Sequence, residues 1–192
     1  MNKCNHFFTF IFYERGYGMN TTYSSIQSTK TRMLVISALF VALTLVATMF
    51  INIKLPIAGN GGLIHLGNIP LFVAAFVFGR RTGAIAGAFG MGLFDLLSGW
   101  TIWAPFTFII VGAMGYVAGA ISEKVPGKRV LVYSLAVIVA MLIKVVGYYF
   151  AEVVLYSNWI QPFGSIPGNV LQVGFAGLVV VPLVARIKKR IL

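Results

Sequence analysis

The sequence is poor in the residues on which most enzyme chemistry depends. It has one cysteine, two histidines and only four acidic residues in 192 positions. Cys4 alone allows no intrachain disulfide, and the histidines and acids show no metal-ligand spacing. A phosphate-binding loop is also missing, since Gly127-Lys128 lacks the upstream glycine and the following hydroxyl. We therefore expect no catalytic residues, no metal, no cofactor and no ATPase site of its own.

Charged residues as a whole are scarce. They make up 10% of the chain while apolar residues make up 59%, against about 25% and roughly 45–50% in an ordinary soluble domain. The mean hydropathy is +0.91, and the apolar residues fall in runs that can each cross a bilayer. The composition predicts an all-α integral membrane protein.

Six transmembrane helices are predicted from these runs. The second is short and contains Gly67 and Pro70, which predicts a break or kink. The expected spans are residues 33–51, 62–78, 83–97, 105–121, 130–156 and 167–187.

The basic residues indicate the topology. A net charge of +11 would suggest a nucleic-acid partner in a soluble chain, but here the basic residues stand at the ends of apolar runs, so no nucleic acid is expected. If the N-terminus is cytoplasmic, all of the 15 basic residues except Lys54 and Lys144 fall on inside segments. This asymmetry predicts that both termini are cytoplasmic.

The first 29 residues differ in kind from the rest. Their apolar run, residues 6–13, is too short to span a membrane. Glu14-Arg15-Gly16 can be encoded by a purine-rich stretch resembling a ribosome-binding site, which suggests a mis-annotated start and a true start at Met19. The alternative is a disordered cytoplasmic arm. Residues 30–192 are expected to form one six-helix substrate-binding membrane domain.

Small residues recur at helical spacing in three spans and predict close helix packing. On the first span, Ala38 and Ala42 form a small patch that either packs internally or receives a helix from a separate protein. The glycines on one face of the third and fourth spans are Gly83, Gly87 and Gly90, and Gly112, Gly115 and Gly119.

Polar and aromatic groups collect near the outer ends of the spans. Asp95 lies within an apolar run, where an ionisable side chain is costly and needs a partner or a role. Trp100 and Trp103 follow it in an outer loop, either as an interfacial aromatic belt or as a stacking wall for a planar ligand.

The fifth span carries the most informative pattern. Lys144, Tyr148 and Glu152 are spaced four residues apart and so share one helix face. They form either an internal ion pair, Lys144 with Glu152 or with Asp95, or the lining of a polar cavity.

Two further segments add candidates at the same depth. Asn169 and Gln172 of the sixth span are either ligand contacts or helix–helix hydrogen-bonding groups. The Gly- and Asn-rich outer loop, residues 52–68, is either a connector or a lid that contributes Asn60 and His65.

Several motifs are similar to one known family. They are Gly67-Asn68-Ile69-Pro70-Leu71-Phe72, Gly79-Arg80-Arg81-Thr82-Gly83, Asp95-Leu96-Leu97-Ser98-Gly99-Trp100 and Trp103-Ala104-Pro105-Phe106-Thr107. With them, residues 30–192 resemble the substrate-binding S components of energy-coupling factor (ECF) vitamin transporters, most closely the hydroxymethylpyrimidine or pyridoxine type.

The resemblance implies a multi-pass protein of the cell membrane that captures a vitamin or precursor for ATP-driven uptake. The implied partners are a membrane coupling (T) subunit, which meets an Ala-xxx-Ala pattern matched by Ala38 and Ala42, and two ATPase (A) subunits. The expected ligand contacts are Asn60, His65, Asp95, Trp100, Trp103, Lys144, Tyr148, Glu152, Asn169 and Gln172. The alternatives are an S component for another vitamin, riboflavin or pantothenate, and a solitary secondary transporter of a small heterocycle.

Overall fold

A computed structural model describes residues 23–50, 52–54 and 63–191 of the chain, with side chains over 30–50, 52 and 64–187. Six α-helices, one 3-10 helix and a two-stranded hairpin make up this described part. In chain order they are α1 (Tyr23–Phe50), β1 (Asn52–Lys54), β2 (Leu63–His65), α2 (Asn68–Phe78), α3 (Arg80–Leu97), α4 (Ala104–Lys124), α5 (Arg129–Tyr156), the 3-10 helix (Gln161–Ser165) and α6 (Ile166–Ile191).

Four segments of the described chain are long and apolar enough to cross a membrane. They are Lys30–Phe50, Ala104–Lys124, Arg129–Tyr156 and Gln161–Ile187. Helix α2 is apolar but shorter. Helix α3 is less hydrophobic, because it contains several glycines and the charged residues Arg80, Arg81 and Asp95. The all-helical class is thus confirmed, with the hairpin as an addition.

Helix α1 begins at Tyr23, ahead of the boundary expected at residue 30, while Met19 and the rest of residues 1–22 lie outside the described part.

The expected second span, residues 62–78, is wrong in its first third. Leu63–His65 is a strand, and the helix begins only at Asn68. Pro70 therefore lies in the first turn, where a proline removes no intrahelical hydrogen bond, and it starts the helix instead of kinking it.

The hairpin joins the end of α1 to the start of α2. Its strands are antiparallel, with Asn52 opposite His65 and Ile53 opposite Ile64. The Asn52 side-chain amide donates to the Met49 carbonyl across 2.9 Å, which links the start of β1 to the last turn of α1.

Helices α3 and α4 approach backbone to backbone, as the glycine pattern predicts. A Cβ added at Gly115 would lie 2.2 Å from the Gly83 carbonyl oxygen, and one at Gly87 would lie 2.8 Å from that of Val111. Gly90 faces a different helix: the place where its Cβ would lie is next to the side chain of Thr44 in α1. These contacts hold α1, α3 and α4 together.

A single glycine makes the turn between α2 and α3. Gly79 has φ 97°, a conformation that other residues rarely adopt. Its bend brings the Arg80 N–H to the Glu123 carboxylate at 2.8 Å, with the Arg80 guanidinium 3.6 Å from the other carboxylate oxygen. Glu123 therefore caps α3 from the C-terminal end of α4.

The core lies around α2, which packs against α3, α4 and α6. Phe76 stacks on Phe72 at 5.7 Å and on Tyr133 of α5 at 4.6 Å between ring centroids. Fully buried Val173 and Val180 close this core from α6. The two ends of the bundle differ: one carries Arg80, Arg81, Lys124, Lys128, Arg129 and Arg186, and the other carries the hairpin and a polar cavity.

Candidate functional site

A cavity opens at the hairpin end of the bundle. Counted together with the solvent in its open mouth, it holds about 610 Å³ of space that no protein atom fills. Its walls come from five helices, the strand β2 and the loop before α4. The lining residues are Thr48, His65, Met91, Phe94, Asp95, Trp100, Trp103, Thr107, Lys144, Tyr148, Glu152, Asn169 and Gln172.

The predicted contact residues converge on this cavity. Those that line it are His65, Asp95, Trp100, Trp103, Lys144, Tyr148, Glu152, Asn169 and Gln172. Asn60 lies outside the described residues. Ala38 and Ala42 are exposed on α1 and do not line the cavity.

Lys144 and Gln172 form the best-connected part of the site. The Lys144 ammonium donates to Oε1 of Gln172, and Nε2 of Gln172 donates to the His65 backbone oxygen across 3.1 Å. Both side chains are buried, with 2% and 3% of their surface exposed. A buried ammonium needs such an acceptor, because an unpaired charge away from water is costly.

Asp95 faces Lys144 from the opposite wall. The two charges interact electrostatically, and the Thr107 hydroxyl reaches the Asp95 carboxylate. Thr107 also shares a hydrogen bond with the Tyr148 hydroxyl at 2.9 Å. Of the two ion pairs that the sequence left open for Lys144, the structure favours the one with Asp95, although the charges are not in direct contact.

His65 is held by its own turn. Its Nδ1 accepts a hydrogen bond from the Gly67 N–H at 3.2 Å, so Nε2 carries the proton in the neutral ring. Enclosure of the ring, and then the positive charge of Lys144, lower the pKa of His65 well below its ordinary value of 6.5. The ring is therefore a neutral hydrogen-bonding group at pH 7.

Aromatic rings form one wall of the cavity. Trp103 packs against Tyr148 at 6.4 Å and against Tyr156 at 5.9 Å between centroids, and the Lys144 ammonium lies 5.8 Å from the Tyr148 ring centre. Trp100 and Trp103 are each half-buried. Such a wall offers a flat apolar surface for a planar ligand.

Glu152 stands apart from the other charged groups of the site. Its side chain is 6% exposed, and its carboxylate is within reach of the Ser165 hydroxyl. That hydroxyl also donates to the Pro162 carbonyl at 3.0 Å, and its single proton serves one acceptor at a time.

Four lining residues do not follow from the sequence reasoning: Thr48, Met91, Phe94 and Thr107. Each is an apolar or hydroxyl residue inside an apolar helix, where it looks like a lipid-facing or packing residue. Helical spacing carries the signal that identifies two of them, since Met91 lies four residues before Asp95 and Thr107 four residues after Trp103.

The site is equipped for binding. It offers an ammonium, two carboxylates, a phenol, two amides and an aromatic wall. Over the residues that the structure describes, no group of three or more His, Cys, Asp or Glu could hold a metal ion. This set of groups suits noncovalent recognition of a small, flat, polar molecule.

Comparison with known families assigns the chain to a class. Residues 28–189 match the family model described as "ECF-type riboflavin transporter, S component". The protein therefore belongs to the family of ECF transporter S components, which are membrane-embedded transport subunits and not enzymes.

Two individual proteins are similar to the chain over much of its length. The chain is 30% identical over 158 residues to the "Thiamine precursor transporter HmpT" of Lactococcus lactis subsp. cremoris strain MG1363, covering 81% of this chain and 89% of the relative. It is also 33% identical over 113 residues to an "Uncharacterized protein in gap 3'region" of Pyrococcus woesei, covering 58% of this chain and 72% of the relative.

Two solved structures share the fold. One, described as "Structure and mechanism of the S component of a bacterial ECF transporter", has a TM-score of 0.67 at 22% identity and covers 83% of this chain and 97% of its own. The other, an S component for biotin from an ECF-type ABC transporter, has a TM-score of 0.59 at 17% identity and covers 88% and 95%. Both likenesses concern the fold alone.

Proposed function

We propose that this protein captures hydroxymethylpyrimidine, a thiamine precursor, and delivers it for ATP-driven uptake. The observation that carries the proposal is the cavity, in which an ammonium, two carboxylates and two amides face an aromatic wall. A substituted pyrimidine presents ring nitrogens, an amine and a hydroxyl around a flat ring. The relative named as a thiamine precursor transporter supports the same substrate class.

In the proposed complex the ring stacks on Trp100 or Trp103, and the polar groups bind its edge. Lys144 and the His65 Nε2–H donate, whereas Asp95 and Glu152 accept. Tyr148, Asn169 and Gln172 complete the set, and Asn60 belongs to the expected contacts from the outer loop. Because most of these side chains are already held by neighbours, little ordering entropy is lost on binding.

Riboflavin is the second candidate substrate. The family model that matches the chain carries this vitamin in its description. Pyridoxine also has a flat ring with polar substituents and belongs to the same ligand class as hydroxymethylpyrimidine. A solitary secondary transporter is the alternative from a different class of mechanism.

The proposed topology has six membrane spans and cytoplasmic termini. It is supported by the separation of the ends, with basic side chains at one and the cavity at the other. We expect Ser98→Cys, in a Cys4→Ser background, to react with an impermeant maleimide added outside cells, and Lys128→Cys to react only after lysis. The reverse pattern would overturn this topology.

The proposed partners are a membrane T subunit and ATPase A subunits. The exposed alanines Ala38 and Ala42 on α1 offer the T subunit a surface on which helix backbones can approach closely. Replacing either alanine by a large residue would then abolish assembly while leaving the cavity intact.

Uptake by reconstituted vesicles tests the proposed function. Vesicles holding this protein with T and A subunits should accumulate labelled hydroxymethylpyrimidine only when ATP is enclosed with the A subunits. Vesicles holding this protein alone should bind the label without accumulating it. Equal, ATP-independent uptake by the protein alone would instead establish a solitary transporter.

A further inference from the structure

The distribution of acidic residues in the chain is uneven. Only four positions are acidic, against 15 lysines and arginines. Glu14 lies outside the described residues, and Glu123 pairs with Arg80 at the opposite end of the bundle. The remaining two, Asp95 and Glu152, both line the cavity, whereas Lys144 is its only lysine or arginine among the described side chains.

The two carboxylates are in different situations. Asp95 interacts with the Lys144 charge and with the Thr107 hydroxyl. Among the side chains that the structure describes, no lysine or arginine nitrogen lies within 4.0 Å of the Glu152 carboxylate. The Ser165 hydroxyl, which lies in its reach, also has the Pro162 carbonyl as an acceptor.

The Glu152 carboxylate therefore keeps hydrogen-bond acceptor capacity on the side that faces the cavity. A carboxylate accepts several hydrogen bonds. Its position in the cavity lining leaves a ligand as the natural source of the hydrogen-bond donors. The Lys144 ammonium donates one of its three hydrogens to Gln172.

We propose that Glu152 binds the proton-donating edge of the ligand and so makes the site select amino-substituted, neutral or cationic heterocycles over oxo-substituted or anionic ones. The inference rests on the proposed function and specifies which ligands the site accepts. An exocyclic amine or a protonated ring nitrogen donates to the carboxylate. A carbonyl, a carboxylate or a phosphate in the same place would meet it acceptor to acceptor.

Calorimetry with two matched pyrimidines tests the proposal. One is 4-amino-5-hydroxymethyl-2-methylpyrimidine, and the other carries an oxo group in place of the amine. The wild-type protein should favour the amino compound by roughly 10- to 100-fold, as expected for a hydrogen bond to a charged group. Glu152→Gln should reduce that ratio at least about fivefold, because an amide can also donate to the oxo group.

Glu123→Gln is the matched control, since it removes the same charge at the far end of the bundle and should leave the ratio unchanged. A wild-type protein that binds both pyrimidines equally, or a Glu152→Gln variant that keeps the full preference, would overturn the inference while leaving the proposed function in place. Binding of neither pyrimidine by folded wild-type protein would overturn both.

A second measurement needs no variant. The monophosphate ester of the same aminopyrimidine should bind the wild-type protein at least about tenfold more weakly than the free alcohol, because its added charge enters a cavity with an excess of carboxylate. Equal affinity for the ester would overturn the inference.

Discussion

Gln172 donates a hydrogen bond from Nε2 to the backbone oxygen of His65 across 3.1 Å. Oε1 of the same side chain accepts a hydrogen bond from the Lys144 ammonium. One buried side chain of α6 thus joins the middle of α5 to the end of the hairpin. Gln172 thereby fixes the orientation of the Lys144 side chain in the cavity, and the His65 backbone in turn fixes Gln172.

Gln172→Leu should lower stability and ligand affinity together. The substitution leaves the Lys144 ammonium and the His65 carbonyl without this partner, at about 1–3 kcal/mol for each buried group left unpaired. Thermal unfolding in detergent and calorimetric binding would measure the two effects. Gln161→Leu, the same change in the 3-10 helix outside the cavity lining, is the control and should alter neither. Wild-type behaviour of Gln172→Leu would show that the bridge is dispensable.

Asp95 and Lys144 should be energetically coupled. Asp95→Asn and Lys144→Met each leave one charge in the cavity wall without its counterpart, whereas the double variant removes both. We expect the double variant to be more stable than the sum of the single effects predicts, by about 0.5–3 kcal/mol. Urea or thermal unfolding of the wild type, the two single variants and the double variant would give the unfolding free energies for this double-mutant cycle. Lys144→Met combined with Glu123→Gln should be additive, and additivity in both cycles would contradict the coupling.

Because α3 packs closely on α4, we expect replacement of Gly115 by any larger residue to destabilise the protein. In Gly115→Ala the added methyl would meet the Gly83 backbone at 2.2 Å, so the helices must separate. The expected loss is about 1–3 kcal/mol of unfolding free energy. Gly174→Ala is the control, because its nearest contact is the flexible end of Met141 at 3.6 Å. A Tm for Gly115→Ala as high as that for Gly174→Ala would argue against this packing.

His65 predicts a pH dependence of stability. Its pKa in the folded protein lies well below 6.5, so the unfolded chain binds a proton first as the pH falls. The stability contributed by the neutral ring is complete above about pH 6.5 and is lost progressively below it. In His65→Asn this part of the decline in Tm between pH 7.5 and pH 5 should disappear. An unchanged pH profile in that variant would mean that His65 does not titrate differently on folding.

The sequence predicted the long helices well because their signal is continuous. Spans at 105–121 and 130–156 lie within α4 and α5, since an uninterrupted apolar run has few other stable conformations in a bilayer. The hairpin was not predictable, because each strand has three residues and is too short to show alternation. The shortness of the strands also explains the error over Leu63–His65, an apolar stretch before α2 for which the sequence predicts helix.

The site was predicted as far as charge and helical spacing allow. Lys144, Tyr148 and Glu152 share a face, and polar side chains in apolar spans are conspicuous. The pattern does not predict which side chains pair. That Lys144 donates to Gln172, and that no cation of the described part lies beside Glu152, depends on how α5 and α6 pack. The sequence does not predict Thr107 as a site residue, because the hydroxyl of a threonine inside an apolar helix commonly donates to a backbone carbonyl of the preceding turn.

Ligand binding by the purified protein alone tests the central claim most directly. Calorimetry in detergent against hydroxymethylpyrimidine, pyridoxine, thiamine, riboflavin, pantothenate, biotin and folate should show tight binding of hydroxymethylpyrimidine, near −12 kcal/mol if the Kd is about nanomolar, and no comparable binding of the carboxylates. Tight binding of riboflavin without the pyrimidine, or no binding across the panel by protein shown to be folded, would contradict the account.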